Sequence, residues 1–156
     1  MWYETLFSVI VGGLIVFVSN FALIIINENK LKENLRNAIK VDVESIEEMV
    51  TGFSKKYPNQ ENINNPINID QSFYGDYGIY HIIQGDILKL NERESKIAYE
   101  FYFNILIADS ERKLILERQK QNNFKDGDDG VASTKRMVSA INKSASLIKD
   151  IKSFNQ

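Results

Sequence analysis

Leu6–Ile26 reads LFSVIVGGLIVFVSNFALIII, a run of 21 residues without one charged side chain. Only Ser8, Gly12, Gly13, Ser19 and Asn20 interrupt its apolar character. Coiled as an α-helix at about 1.5 Å per residue, the run is roughly 30 Å long, the thickness of a bilayer's hydrocarbon core. Trp2 and Tyr3 stand just before it, where amphipathic rings favour the headgroup region. A cleaved signal peptide would want basic residues in front of a shorter apolar core, and Trp2-Tyr3-Glu4 supplies none. Residues 1–27 are therefore read as a retained transmembrane anchor, with the lipid bilayer as its first partner.

The flanks of the run predict its orientation. Glu4 is the only charged side chain before it, whereas Lys30, Lys32, Arg36 and Lys40 follow closely behind. Cationic side chains resist translocation, so the N-terminus is expected outside the cell membrane and residues 28–156 in the cytoplasm. Within the run, Ser8, Gly12 and Ser19 fall near one helix face, and Gly13 and Asn20 form a neighbouring stripe. Small residues allow helix backbones to approach, and an asparagine amide in lipid seeks a partner. These five residues are a candidate face for association with another copy or another subunit.

Beyond the anchor, Leu31, Leu35, Ile39, Val43, Ile46, Val50 and Phe53 follow one another at steps of three and four, the periodicity of one helix face. No proline or glycine intervenes before Gly52, so the anchor and this segment are expected to form one long helix. Asp42 beside the stripe favours an ordinary core face over a coiled-coil seam. Residues 54–72 contain both prolines and many asparagines without apolar periodicity, and read as a loop or linker. Short helical turns are expected up to Leu90. Asn91 then opens a long helix to about Asn123, with Glu94 placed to complete a capping box. Its inward stripe is Ile97, Phe101, Ile105, Ala108 and Ile115. Glu92–Lys96 and Asp109–Lys113 are read as solvated i,i+4 pairs on its outer face. KDGDDG (125–130) suits a turn, and a final helix over 131–154 turns Val138, Ile141, Ala145, Ile148 and Ile151 inward. The helices of 91–154 are expected to pair as an antiparallel hairpin.

Composition narrows the functional classes. The chain has no cysteine, which removes disulfides and thiolate chemistry. Residues 27–156 carry 19 basic and 20 acidic side chains, a near balance that offers no field for nucleic acid. His81 is the lone histidine, and Asp70, Asp76 and Asp86 lie near it in sequence, but no patterned partner makes a metal or acid–base site with them. Asp126, Asp128 and Asp129 fail the calcium-loop spacing, because the fifth and twelfth positions are Gly130 and Met137. Asn142-Lys143-Ser144 has the form of a glycosylation site but falls inside a helix on the cytoplasmic side. No catalytic residue, metal ligand or cofactor is expected.

Residues 73–103 hold eight of the seventeen aromatic side chains. Tyr74, Tyr77, Tyr80 and Tyr102, with His81, form a candidate docking or ligand patch, since tyrosine combines apolar area with a hydroxyl. The same rings can instead pack between helices with their hydroxyls at the edge, which is the simpler expectation.

The anchor followed by Lys32-Glu33-Asn34-Leu35, and then Asp86-Ile87-Leu88-Lys89-Leu90 with Ile97 and Phe101-Tyr102, resembles small single-pass membrane proteins of prokaryotes. In those, a spanning helix leads into a short helical bundle. The resemblance implies architecture and brings no chemistry. The expected fold is all-α: a transmembrane helix followed by a cytoplasmic bundle of about three long helices plus a short helical segment. The expected function is a non-enzymatic, membrane-anchored interaction module or accessory subunit, with a protein partner or self-association. A ligand-responsive membrane sensor, binding a small molecule near the aromatics, is the other class the residues allow.

Overall fold

A computed structural model describes residues 2–74, 78–120 and 127–154, with side chains from Leu14 in the first helix and from Asp129 in the last. All regular structure among the described residues is helical. The elements are α1 (Trp2–Lys56), α2 (Tyr80–Ile83), α3 (Glu92–Lys120) and α4 (Gly127–Lys152), with single 3-10 turns at Gln60–Asn62 and Ile87–Lys89. The chain divides into two compact units, Met1–Asn34 and Leu35–Gln156.

α1 is a single helix of 55 residues, as the absence of proline before Pro58 predicts. The residue before a proline is biased away from helical angles, and Lys55 and Lys56 complement the dipole at the helix's end. The last turn closes when the Tyr57 N–H donates to the Phe53 carbonyl at 3.0 Å. In the first unit, the described side chains from Leu14 to Ile26 are all exposed. In the second unit, Leu35, Ile39, Val43, Ile46 and Val50 are buried, and each contributes about 1.5–3 kcal/mol by leaving water. Leu31 departs from the predicted stripe. It is 41% exposed and belongs to the first unit, ahead of the packed core.

α3 and α4 are the closest pair and run antiparallel. Arg118 reaches Asp129 at 3.8 Å, Arg136 reaches Glu111 at 2.6 Å, and the Ser144 hydroxyl donates to the Phe101 carbonyl at 3.3 Å. Small side chains along the seam, Ala108, Ser133, Ala140 and Ser144, allow this approach and are all buried. Within the second unit α1 runs parallel to α3, because Arg36 pairs with Glu94 and Asp42 meets Tyr102 farther along both helices. Parallel neighbours need a long return connection, and residues 57–91 supply it.

That connection is tied down rather than free. Asn142 donates its side-chain amide to the carbonyls of Tyr57 and Pro58 at 3.0 and 3.3 Å. The Ile67 N–H donates to the Thr134 hydroxyl at 3.1 Å, and Arg112 donates to the Asp70 carbonyl at 3.1 Å. Ile63, Phe73 and Tyr74 are buried along it, with the Phe73 ring edge-on to Phe53 at 5.3 Å. The expected loop over 54–72 is thus a strap whose carbonyls and amides are met by side chains of α3 and α4. Its first residues, Ser54 to Lys56, still belong to α1.

Three further expectations are corrected by the packing. Asn91 caps α3, its side-chain oxygen accepting from the Glu94 N–H at 2.9 Å, but the Glu94 carboxylate pairs with Arg36 at 2.9 Å. The capping box is half formed, because a guanidinium is a stronger partner for a carboxylate than the cap's amide. Asp109 is 8% exposed and faces inward rather than toward Lys113. α4 begins at Gly127, so residues 127–130 of the expected turn are helix. Acidic residues in a first turn suit the positive end of the helix dipole. Lys125 and Asp126 lie outside the described residues. The inward stripes otherwise hold, with Phe101, Ile105, Ala108, Ile115, Val138, Ile141, Ile148 and Ile151 buried and Ile97 and Ala145 half-buried.

Candidate functional site

Two carboxylates organise the chemistry of the second unit. Asp42 stands on α1 between the inward residues Ile39 and Val43. Tyr74 reaches it from the strap and Tyr102 from α3. Both hydroxyls donate to the same oxygen, Asp42 Oδ2, at 2.7 and 2.9 Å. The Tyr74 oxygen in turn accepts from the Tyr80 N–H at 2.7 Å. One carboxylate therefore ties together α1, α3, the strap and the start of α2.

The rings around this carboxylate pack on one another. Tyr80 stacks on Tyr102 with centroids 4.8 Å apart, Tyr74 meets Tyr102 edge-on at 5.7 Å, and Phe101 does so at 5.4 Å. Burial raises the Tyr74 hydroxyl far above the ordinary phenol range, and its hydrogen bond to Asp42 raises it further. Burial likewise raises Tyr102, followed by the negative charge of Asp42. Tyr80 is raised by burial and then by Tyr99. Near neutral pH these phenols are protonated donors, suited to holding a carboxylate and unsuited to act as nucleophile or base.

Asp109 makes the second node. Its Oδ1 accepts from the Phe73 N–H at 2.8 Å and from Arg112 Nε at 3.1 Å. Its Oδ2 accepts from the Ser72 hydroxyl at 2.8 Å and the Tyr74 N–H at 2.9 Å. Both charges are about nine-tenths buried, and four donors satisfy the carboxylate. The node fixes the backbone at Phe73 and Tyr74, and so aims the Tyr74 ring at Asp42.

Of the tyrosines and histidine proposed as a patch, Tyr74 and Tyr102 lie in the core, with Tyr102 fully buried. Tyr80 is half-buried, and His81 is exposed on α2 with its ring 6.1 Å from Tyr80. Tyr77 lies outside the described residues. Among the described residues no three His, Cys, Asp or Glu side chains are placed to hold a metal ion. Asp86 pairs with Lys89 rather than with His81. In the glycosylation-like triplet, Asn142 is occupied with the strap and Ser144 is buried. In the first unit, Ser19 and Asn20 are exposed, and the side-chain positions of Ser8, Gly12 and Gly13 lie outside the described residues.

The Asp109 node was missed in reading the residues, although a signal existed. Asp109 continues the series Ala98, Tyr102, Ile105 at steps of four and three, so it falls on the inward face. Beside Asp42, an open groove of about 470 Å³ is lined by Asn37, Ala38, Val41, Ser45 and Ile79. No protein-family model, curated protein or solved structure matches the chain.

Proposed function

We propose that the chain is a single-pass membrane protein whose helical domain serves on the cytoplasmic side as a non-enzymatic interaction module or accessory subunit. One observation carries the reading. The apolar window of α1 is long and hydrophobic enough to cross a bilayer, and none of it is buried against the protein. A core helix of a water-soluble protein would have its apolar face covered. An uncovered face of this size needs lipid or a partner.

The charge asymmetry around the window supports a cytoplasmic domain. The interaction role is supported by the way the tyrosines are used. The Tyr74 and Tyr102 hydroxyls are committed to Asp42, and the rings of Tyr74 and Tyr80 pack on Tyr102, which makes a structural lock rather than a lined cavity. The domain then acts through its surface.

Membranes prepared from cells making the tagged protein test both parts. Carbonate at high pH strips peripheral proteins, so the chain should stay in the pellet. A protease added to spheroplasts should leave the C-terminal tag intact until the membrane is permeabilised. Purification in mild detergent should recover a stoichiometric protein partner or a self-associated form. Release by carbonate would overturn the anchor, cleavage in intact cells the orientation, and elution as a lone monomer the interaction role.

A further inference from the structure

The exposed face of the first unit carries an amide at every seventh residue. Asn20, Asn27 and Asn34 are spaced by two heptads and alternate with Phe17, Ile24 and Leu31, spaced in the same way. The steps from Phe17 through Leu31 to Asn34 are three, four, three, four and three. This is an unbroken seam of period 3.5 on one side of α1, the repeat at which two helices wrap with left-handed twist. All six side chains are exposed, Phe17 at 69%, Ile24 at 56% and Leu31 at 41%. The seam lies wholly within Met1–Asn34, where every described side chain but Lys32 is exposed.

Resting on the membrane reading above, we infer that this seam is a parallel homodimer interface, with a second copy of the chain as its occupant. The argument for a second copy is chemical. A carboxamide offers both a donor and an acceptor, so it is complementary to itself. In a parallel two-fold pair each of these positions faces its own symmetry mate, and one asparagine satisfies the next at the same level. A lipid tail can cover Phe17 and Ile24 but offers nothing to the Asn20 amide, which in hydrocarbon seeks a hydrogen bond. Asn27 and Asn34 extend the match past the apolar run and favour the in-register pair, since a slip of three or four residues would place amides against apolar side chains and a slip of seven would leave Asn20 against Gly13. Gly13 stands one heptad before Asn20, a position that admits close approach of two backbones.

The chain has no cysteine, so single cysteines report proximity without background. Asn20→Cys, Asn27→Cys and Asn34→Cys are made one at a time, with Ala22→Cys and Asn29→Cys on the opposite face as references. Each is oxidised in isolated membranes, and the carbonate-resistant and carbonate-released fractions are both resolved without reductant. Disulfide dimers at the three seam positions, with little at the two references, are the expected result. Replacing Asn20 and Asn27 by leucine should then lower the Asn34→Cys dimer severalfold. Membrane-bound chain without seam cross-links, or with equal cross-linking on both faces, overturns the homodimer and leaves the anchor standing. Seam cross-links in chain that carbonate releases uphold the pair and overturn the anchor.

Discussion

The Tyr102 hydroxyl on α3 donates to Asp42 Oδ2 on α1 at 2.9 Å, and the Tyr74 hydroxyl donates to that same oxygen from the strap. Tyr102→Phe removes one donor from a charged acceptor while keeping the ring stack with Tyr80. Hydrogen bonds to charged groups are worth about 1.5–3 kcal/mol, so urea unfolding should show a loss of that order. Tyr102→Leu should cost more, because the stacked ring is lost as well. Equal stabilities for wild type and Tyr102→Phe would show that the lock contributes nothing.

The same pair makes the domain sensitive to alkali. In the folded protein the Tyr74 and Tyr102 hydroxyls ionise well above the ordinary value of 10.0, which the unfolded chain retains. Above that pH the unfolded state releases protons that the folded state keeps, so stability is complete below pH about 10 and falls as pH rises beyond it. Unfolding midpoints between pH 8 and 11 should therefore decline, and the decline should be shallower in Tyr102→Phe. A midpoint flat across that range would contradict the burial of both phenols.

Removing the charge of Asp109 should be the most damaging single change. Asp109→Asn leaves Arg112 without its carboxylate in a site where that side chain is 9% exposed. Breaking one partner of a buried pair costs about 3–5 kcal/mol. The damage should also be local. Hydrogen exchange at the Phe73 and Tyr74 amides should accelerate well beyond exchange in the centre of α4, since both amides donate to Asp109. Uniform acceleration across the domain would mean that Asp109 supports the fold without specifically holding the strap.

How far residues alone disclose this design depends on what each one meets. The stripe Leu35 to Val50 was legible because burial on one helix face leaves a period, and so was the hairpin of α3 and α4. Asp109 was not, since an i,i+4 acid–base pair looks the same whether solvated or turned inward. Only its register with Ala98, Tyr102 and Ile105 marks it. Asn91 was legible as the cap of α3, but Glu94 was legible only as its reciprocal partner and not as that of Arg36, which comes from 58 positions away. Asp42 stood out as a charge beside an apolar stripe, but of the tyrosines that use it Tyr74 comes from the return strap, which carries no periodicity, and Tyr102 from a helix 60 positions away.

Two glycines should respond to alanine in opposite directions. Gly52 lies within α1 with nothing near the place of a Cβ, so Gly52→Ala should stabilise the helix by about 0.5–1 kcal/mol. At Gly78 a Cβ would fall onto the Tyr74 ring, at Cε1 and Cζ. That ring is fixed at its hydroxyl by Asp42 and at its backbone by Asp109, so it cannot step aside freely. Overpacking of this kind costs about 1–3 kcal/mol. Thermal unfolding of the two variants side by side should place one above and the other below wild type. A neutral Gly78→Ala would show that Tyr74 can leave Asp42 without penalty.

The second unit should fold without the first. Its core joins Leu35 through Phe154, and its ion pairs, Arg36–Glu94 and Lys152–Glu47 among them, all close within Leu35–Gln156. A fragment of residues 33–156 loses the exposed apolar turns and keeps every one of these contacts. It also places Asn34 at the new helix start, where an asparagine can accept from the freed amides as an N-cap. The fragment should be monomeric, helical by circular dichroism, and unfold in one cooperative transition. Retained helicity without a cooperative transition would mean that α1 needs its N-terminal half to hold the bundle, and that the two units are one folding entity.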